Sequence, residues 1–290
     1  MAARLLRMSV RSIALVSALT GVMSLAIGAH AALSTRALDT ARATGQSRDA
    51  AKSASRLALV IGNGHYPDAD APLTQPINDA RALTAALRRN GFDVDIVEDG
   101  SKGDMNRAID RLKSKIKPDS VVMLCFGGYG IQVGRESYMI PVDAAIWKES
   151  DIRRDGLSID SVLDMLSGQG VRAKLVVIDA SRRNPYERRF RTFSHGLAPI
   201  SAPDNALILS SNTPGKVADD SMGQYSVLMA ELLNNLDAPA AAGAETVFNE
   251  TRAAISRASD GEQVPSVSSS LFTDVQLVTG ADRSAEPAGN

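Results

Sequence analysis

The sequence has one cysteine and three histidines in 290 residues, which limits the covalent and metal chemistry open to it. The single thiol, Cys125, cannot form an internal disulfide, and a zinc site built from several cysteines is excluded. His30, His65 and His195 leave little material for a metal cluster. The chain also lacks a basic excess, since 32 Lys and Arg face 33 Asp and Glu, for a net charge of −1. This balance argues against nucleic acid as a partner.

The rest of the composition is that of a folded globule, with 44% hydrophobic and 22% charged residues. These fractions exclude a wholly disordered chain and a polytopic membrane protein. An uncharged, mostly apolar stretch, residues 12–29, follows Arg4, Arg7 and Arg11. It ends at the first residue of the tripeptide Ala29-His30-Ala31. This succession is typical of a secretory signal peptide followed by its cleavage site.

The N-terminal segment leaves two expectations for the location of the protein. If residues 1–31 are a cleaved signal peptide, the mature protein is exported, periplasmic or secreted. The alternative is an uncleaved anchor in the cytoplasmic membrane, because residues 12–29 approach the length of about 20 residues that spans a bilayer. A membrane is a partner only in that alternative.

The remaining chain is predicted to hold one folded domain. Residues 32–55 are rich in Ala, Ser, Thr, Arg and Asp without a sustained apolar pattern, and they are interpreted as a linker. Residues 279–290 are polar and end in Pro-Ala-Gly-Asn, as expected of a disordered tail. The folded domain therefore spans residues 56–278.

Within that domain, short apolar runs alternate with helical patterns. Runs typical of strands buried on both faces occur at 57–61, 121–126, 174–178 and 206–210, and residues 92–97 alternate as a strand does. Helical patterns begin at Pro76 and recur around 105–116, 162–166, 224–236 and 245–258. This alternation predicts an α/β fold with a mostly parallel sheet and helices on both faces.

Ligands of such sheets gather beyond the carboxyl ends of the strands, which selects the loops 62–66, 127–130, 179–182 and 212–220. The Gly128-x-Gly130 pair suggests a dinucleotide loop, but a phosphate site needs a helix directly after it. An extended segment containing Gly134 and ending at Pro141 follows instead, which disfavours nucleotide binding.

Ser181 follows a buried strand and is a candidate nucleophile, although the G-x-S-x-G elbow is absent from the chain. A serine hydroxyl needs a positioned base. His65 lies in a loop at the same edge of the sheet and could act as that base; the alternative for both His65 and His195 is a surface histidine. Cys125 lies inside an apolar run and is interpreted as a core residue.

Charged residues in the same loops suggest binding. Asp179 and Asp220, if both point inward, form a pocket for a cationic side chain, with Arg favoured by bidentate pairing. The alternative is that they cap or hydrogen-bond their own loops. Five arginines crowd residues 182–191, which favours a solvated loop, with a patch for an acidic partner or a protease-sensitive connector as alternatives.

Five motifs in order resemble those of the caspase-like peptidases of bacteria, the metacaspase and orthocaspase group of peptidase family C14. They span most of residues 56–278: a first strand Arg56-Leu-Ala-Leu-Val-Ile-Gly-Asn63, a helix opening Leu73-Thr-Gln-Pro-Ile-Asn-Asp-Ala-Arg81, Tyr138-Met-Ile-Pro-Val-Asp143, Asp179-Ala-Ser-Arg-Arg-Asn-Pro185 and Thr213-Pro-Gly-Lys-Val-Ala-Asp-Asp220.

The sequence departs from this family at both catalytic positions. The family's Y-[SA]-G-H-G motif reads Phe126-Gly-Gly-Tyr-Gly130 here, so Tyr129 stands in place of the histidine base, and Ser181 stands in place of the nucleophilic cysteine. The resemblance is therefore to pseudo-orthocaspases. It implies an acidic substrate pocket at Asp179 and Asp220, loop backbone freedom at Gly128 and Gly130, and no cofactor other than calcium.

Two functions follow from these residues. The first is an exported, non-catalytic domain that binds a basic Arg- or Lys-bearing peptide segment, or an active caspase-like homologue, without cleavage. The second is an active Arg/Lys-directed endopeptidase or hydrolase that uses Ser181 as nucleophile and His65 as base.

Overall fold

A six-stranded sheet forms the centre of the fold. The computed structural model describes residues 55–69, 72–186, 189, 196–217, 223–237 and 242–278. The strands of this part of the chain are β1 (Arg56–Gly62), β2 (Asp93–Glu98), β3 (Val121–Gly127), β4 (Gly130–Val133), β5 (Glu136–Met139), β6 (Leu157–Ser158), β7 (Ala173–Asp179), β8 (Ala206–Ser210) and β9 (Ser266–Ser269). Its helices are α1 (Gln75–Arg89), α2 (Lys102–Lys115), α3 (Glu149–Asp155), α4 (Ile159–Ser167), α5 (Val227–Leu236) and α6 (Ala244–Ala258).

The strand order of the central sheet is β2-β1-β3-β7-β8-β9. The first five strands run parallel, and β9 lies antiparallel to β8 at the edge. Gly62 of β1 pairs with Gly127 of β3, which in turn pairs with Asp179 of β7. The loops after these three strands therefore leave the same edge of the sheet side by side. The predicted α/β fold with a mostly parallel sheet is confirmed.

Helices cover both faces of the sheet because successive strand residues point to opposite sides. Residues such as Val60 and Val177 contribute to one buried cluster with α1, α5 and α6. Their neighbours Leu59 and Val176 contribute to a second cluster with α2 and α4. Cys125 belongs to the first cluster, where burial raises the pKa of its thiol, so its interpretation as a core residue is confirmed.

A smaller antiparallel sheet, β4-β5-β6, follows the third strand of the main sheet. It shares a third buried cluster with the loop after β1 and with the segment that follows β7. This cluster contains four tyrosines, Tyr66, Tyr129, Tyr138 and Tyr186. The β3–β4 loop is therefore seated on an aromatic cluster of its own rather than on the main core.

Four elements of the structure lack the sequence signals used to predict the others. Strand β9 is Ser-Val-Ser-Ser and α3 is Glu-Ser-Asp-Ile-Arg-Arg-Asp, so neither has an apolar run. Both lie at the periphery, where few side chains are buried. Strands β4 and β6 have only four and two residues, too short for a period-2 pattern to be recognised.

The predicted signal peptide (1–31), most of the predicted linker (32–55) and the predicted tail from residue 279 onward lie outside the described residues. Among the helices that the structure describes, none has the length and apolar character needed to cross a membrane.

We expect Gly130→Ala to destabilise the domain by about 1–3 kcal/mol, the usual cost of overpacking. A Cβ atom at Gly130 would lie 2.7 Å from Leu197 Cδ2 and 2.9 Å from the Ala180 carbonyl oxygen. Gly168→Ala is the matched control, because a Cβ atom there would lie 3.7 Å from the Met165 carbonyl oxygen, an ordinary contact distance. Urea unfolding of both variants gives the comparison, and equal midpoints would show that the loops yield without cost.

Candidate functional site

Backbone hydrogen bonds join the loop after β3 to the loop after β7. The Gly128 amide donates to the Asp179 carbonyl at 3.2 Å, and the Gly130 amide donates to the Ala180 carbonyl at 3.1 Å. Tyr129 therefore lies between two residues that are bonded to the segment preceding Ser181. Tyr129 and Ser181 thus follow neighbouring strands of one sheet, β3 and β7.

Close packing explains why the loop needs glycine at position 128. A Cβ atom there would lie 2.5 Å from the Tyr66 hydroxyl oxygen and 2.9 Å from the Phe126 ring. The missing side chain of Gly128 thus leaves space for Tyr66 and Phe126. Its carbonyl oxygen accepts a hydrogen bond from Arg182.

Tyr129 is a buried aromatic residue, with 4% of its surface exposed. Its ring meets the Tyr66 ring edge to face, with centroids 4.9 Å apart. The Tyr66 hydroxyl accepts a hydrogen bond from the Tyr129 amide at 3.0 Å and donates one to the Ile140 carbonyl at 3.2 Å. Burial raises the pKa of Tyr66 above its ordinary range, so this hydroxyl keeps the proton it donates.

Ser181 is also buried, with 1% of its surface exposed. Its backbone amide donates to the Ser211 hydroxyl oxygen at 3.3 Å, which ties the loop after β7 to the loop after β8. Ser181 thus occupies a packed position between two strand ends. Access of a reagent or substrate to the Ser181 side chain therefore depends on the space between the loops after β7 and β8.

His65 lies on the opposite side of β1 from Ser181. Its ring is 77% exposed, and its Nδ1 atom is 2.6 Å from Asp99 Oδ2. Asp99 follows β2, which flanks β1 away from β3 and β7. Strands are spaced about 4.8 Å apart, so β2 and β7 are separated by roughly 14 Å in the sheet. The expectation that His65 could be a surface histidine is confirmed.

Asp99 holds this histidine as part of a small network. It accepts hydrogen bonds from the Gly64 amide at 2.8 Å and the His65 amide at 2.9 Å. Burial acts to raise the pKa of Asp99, but the hydrogen bonds from His65 and Gly64 outweigh it and keep that pKa below its usual range. The carboxylate therefore stays ionised and keeps the imidazole turned toward β2.

Asp179 has a cation from its own chain beside it. The Arg182 Nη2 atom lies 3.5 Å from Asp179 Oδ2, and both side chains are at most 5% exposed. Arg182 Nη1 donates to the Gly128 carbonyl at 2.9 Å and also to the Asp179 carbonyl. The expectation that Arg182 is part of a solvated loop is therefore wrong: its guanidinium is buried because it satisfies carbonyls at both strand ends.

Asp79 is a second buried carboxylate of the site, and the sequence analysis did not assign it. It lies on α1, is 3% exposed and accepts a hydrogen bond from the Ser226 amide at 3.1 Å. Burial, and after it the charge of the nearby Asp179, raise the pKa of Asp79 to about 7. The signal was present in the motif Leu73–Arg81, which was interpreted only as the opening of a helix.

Little free space remains beside the two carboxylates. Asp79 and Asp179 line a cavity of about 10 Å³, together with Pro76, Cys125, Gly127 and Met229 among others. This volume is close to the minimum that a single water needs. A guanidinium or ammonium group therefore cannot enter unless a neighbouring group moves.

The remaining predicted residues are only partly described. Asp220 and His195 lie outside the described residues, as do Arg188 and Arg191. Arg189 is described, and it bonds Asp68 at 2.7 Å while its guanidinium lies 4.5 Å from the centre of the Trp147 ring. Arg189 is thus engaged by neighbouring side chains.

Metal binding finds no support in the part of the chain that the structure describes. There, no group of three or more His, Cys, Asp or Glu side chains is arranged to hold a metal ion. The calcium that the resemblance allows therefore has no cluster of three carboxylates to bind it among these residues.

Comparison with known proteins places this site in a family. The family model for the caspase domain, Peptidase C14, matches residues 55–276. The human mucosa-associated lymphoid tissue lymphoma translocation protein 1 is 27% identical over 143 residues, which are 49% of this chain and 17% of that protein. The matched segment is thus a small part of the human protein.

A solved structure shows the same fold. Caspase-1 from Spodoptera frugiperda superposes with a TM-score of 0.57 and 17% identity, covering 78% of this chain and 93% of that one. The match includes the mixed α/β architecture with a mostly parallel sheet described above. Since the family model covers most of the chain, the protein belongs to the caspase domain family, peptidase family C14.

Proposed function

We propose that this caspase-family domain binds basic peptide segments without cleaving them. The observation that carries the proposal is the chemistry at the two strand ends, where Tyr129 and Ser181 stand and both are buried. The partner is an Arg- or Lys-bearing segment of another protein, which includes an active peptidase of the same family.

Within the part of the chain that the structure describes, no histidine is positioned as a base beside Ser181, which supports a non-catalytic role. A serine hydroxyl becomes a nucleophile only with a base within about 3.2 Å. A phenol of ordinary pKa near 10 holds its proton at neutral pH, so Tyr129 is a poor base. His65 is the one histidine in the described residues, and Asp99 turns it toward β2. The alternative of a Ser181–His65 hydrolase therefore has no favourable geometry.

Charge supports the recognition of a cation. Asp179 lies close enough to Asp79 to raise the pKa of Asp79, and the guanidinium of Arg182 is bonded beside Asp179. Because the free cavity is water-sized, an entering guanidinium needs the place that Arg182 occupies. Exchange of one guanidinium for another conserves the charge pairing and the hydrogen bonds, so recognition in this cleft does not depend on a catalytic cysteine or histidine.

We expect the wild-type protein to show no turnover of Arg- or Lys-ended fluorogenic peptides, with or without calcium. Ser181→Ala is the matched control and should give the same background signal. Tyr129→His combined with Ser181→Cys should raise turnover above it, since a positioned general base contributes about 10²–10⁴-fold. Turnover by the wild type that disappears in Ser181→Ala would contradict the non-catalytic assignment.

The second prediction concerns recognition of the cation. Calorimetry should detect weak binding of an Arg-ended peptide, weaker binding of its Lys analogue, and loss of binding in Asp179→Asn. Removing the internal guanidinium with Arg182→Met costs roughly 3–5 kcal/mol of stability, because a buried carboxylate loses its partner. The same peptide should then restore stability and bind more tightly than to the wild type.

Arg182→Lys keeps the positive charge but lacks the planar guanidinium, so the peptide should bind it with intermediate affinity. This variant replaces Arg182→Met in the experiment if Arg182→Met does not fold.

Binding should also weaken as the pH falls below about 7, because protonation of Asp79 removes a negative charge from the cleft. Equal affinities for Arg-ended and neutral peptides in every variant would reject the cleft as the recognition site.

We also propose that the protein is exported, on the basis of the arginine-flanked apolar stretch and the Ala29-His30-Ala31 sequence. The mature chain should then begin near Ala32, which N-terminal sequencing of the native protein would check. An intact Met1 together with membrane association would favour the anchor instead.

A further inference from the structure

The turn between α6 and β9, residues 259–265, contacts the loop that follows β8. The Gln263 side chain is 7% exposed, and its Nε2 atom donates to the Ser211 carbonyl at 2.9 Å. The Thr213 hydroxyl donates to the Val264 carbonyl at 2.8 Å. Two consecutive residues of the α6–β9 turn are therefore bonded to a loop that borders the candidate site.

Ser211 links this contact to Ser181. The Ser211 hydroxyl oxygen accepts a hydrogen bond from the Ser181 amide at 3.3 Å, and the Ser211 carbonyl accepts one from Gln263. Ser211 is completely buried, with 0% of its surface exposed. Loss of the Gln263 donor would therefore leave a buried carbonyl without that partner, which costs free energy. One serine thus joins the α6–β9 turn to the candidate site.

Hydrogen bonds inside the α6–β9 turn maintain its own shape. The Ser259 hydroxyl oxygen accepts a hydrogen bond from the Gln263 amide at 3.0 Å. The Gly261 amide donates to the Ser256 carbonyl at 2.9 Å. These bonds lie within the turn and the end of α6, so a displacement of the loop after β8 does not break them. The turn therefore acts as a fixed support for that loop.

The candidate site must open before a side chain can enter, since its cavity has a volume of about 10 Å³. The loop after β7 is joined to the loop after β3 by two backbone hydrogen bonds, at Gly128 and Gly130. The loop after β8 is joined to the α6–β9 turn through the side chains of Gln263 and Thr213, and the Thr213 contact is exposed. An exposed hydrogen bond exchanges for one to water at small net cost, so the loop after β8 is the wall that is displaced more easily.

We propose that the α6–β9 turn controls access to the candidate site, with Gln263 as the positioning residue that holds the loop after β8 against Ser181. When the hydrogen bonds of Gln263 and Thr213 break, Ser211 moves away from the Ser181 amide and position 181 becomes accessible. This step does not depend on what the site binds. Its use to admit a basic side chain rests on the proposed function.

A thiol placed by Ser181→Cys measures this access directly through its rate of alkylation by iodoacetamide at pH 8. Cys125 is buried, so the wild-type chain gives the background rate. In the Ser181→Cys chain, Gln263→Met removes the side-chain donor at similar volume and should raise the rate about tenfold. Thr213→Val should raise it less, about fivefold, because the hydrogen bond that it removes is exposed.

Thr251→Val is the matched control for Thr213→Val. The Thr251 hydroxyl donates to the Val247 carbonyl of its own helix at 2.8 Å, so this variant loses a buried hydrogen bond away from the loop after β8. It should lower the urea midpoint and leave the alkylation rate unchanged. Equal rates in all variants would overturn the proposal. An equal increase in Thr251→Val would also overturn it, because access would then come from general unfolding. If Gln263→Met does not fold, Thr213→Val and Thr251→Val decide between these outcomes.

Calorimetry with an Arg-ended peptide separates this proposal from the proposed function. The apparent affinity of a site that must open first rises with its open fraction, so Gln263→Met in the otherwise wild-type chain should bind the peptide about tenfold more tightly. Faster alkylation without peptide binding in any variant would reject the proposed function and support the role of Gln263. Peptide binding by the wild type, with neither alkylation nor affinity changed by Gln263→Met or Thr213→Val, would support the proposed function and overturn the role of Gln263.

Discussion

The guanidinium of Arg182 is the interaction on which the candidate site depends. It reaches carbonyl oxygens at the ends of both β3 and β7 and lies beside the Asp179 carboxylate. Buried charges persist when they are paired and hydrogen-bonded, and removal of one partner leaves the other uncompensated. Arg182 therefore links the two strand ends, and under the proposed function it also occupies the position that an incoming basic side chain would need, so stability and the proposed recognition are opposed at one residue.

The strands of the main sheet were predictable because burial on both faces demands continuous apolar runs, as in Leu57–Ile61 and Val121–Phe126. The peripheral elements β9 and α3 were not predictable from the sequence. Strand β9 places only one apolar side chain toward the core, and α3 is mostly charged. The same physical rule therefore explains both outcomes. A sequence pattern reports how much of an element is buried, and elements that bury little leave little pattern.

The candidate site was predictable at the level of loops but not of partners. Parallel strands predict which loops meet, and the hydrogen bonds of Gly128 and Gly130 to the loop after β7 agree with this. Nothing local indicates that Arg182 turns inward while the adjacent Arg183 is exposed, since one partner of Arg182 is the carbonyl of Gly128, which is distant in sequence. Asp79 was missed for a similar reason: its helix position says nothing of the carboxylate across the sheet edge.

Backbone atoms of the β3–β4 loop form several of its hydrogen bonds: the amides of Gly128, Tyr129 and Gly130 donate, and the carbonyls of Gly128 and Tyr129 accept. These backbone bonds do not depend on which side chain stands at position 129. The Tyr66 hydroxyl can accept the amide hydrogen of any residue there other than proline. Selection for a folded domain and selection for chemistry can thus act on this loop independently, and a change in reactivity need not leave any mark on the fold.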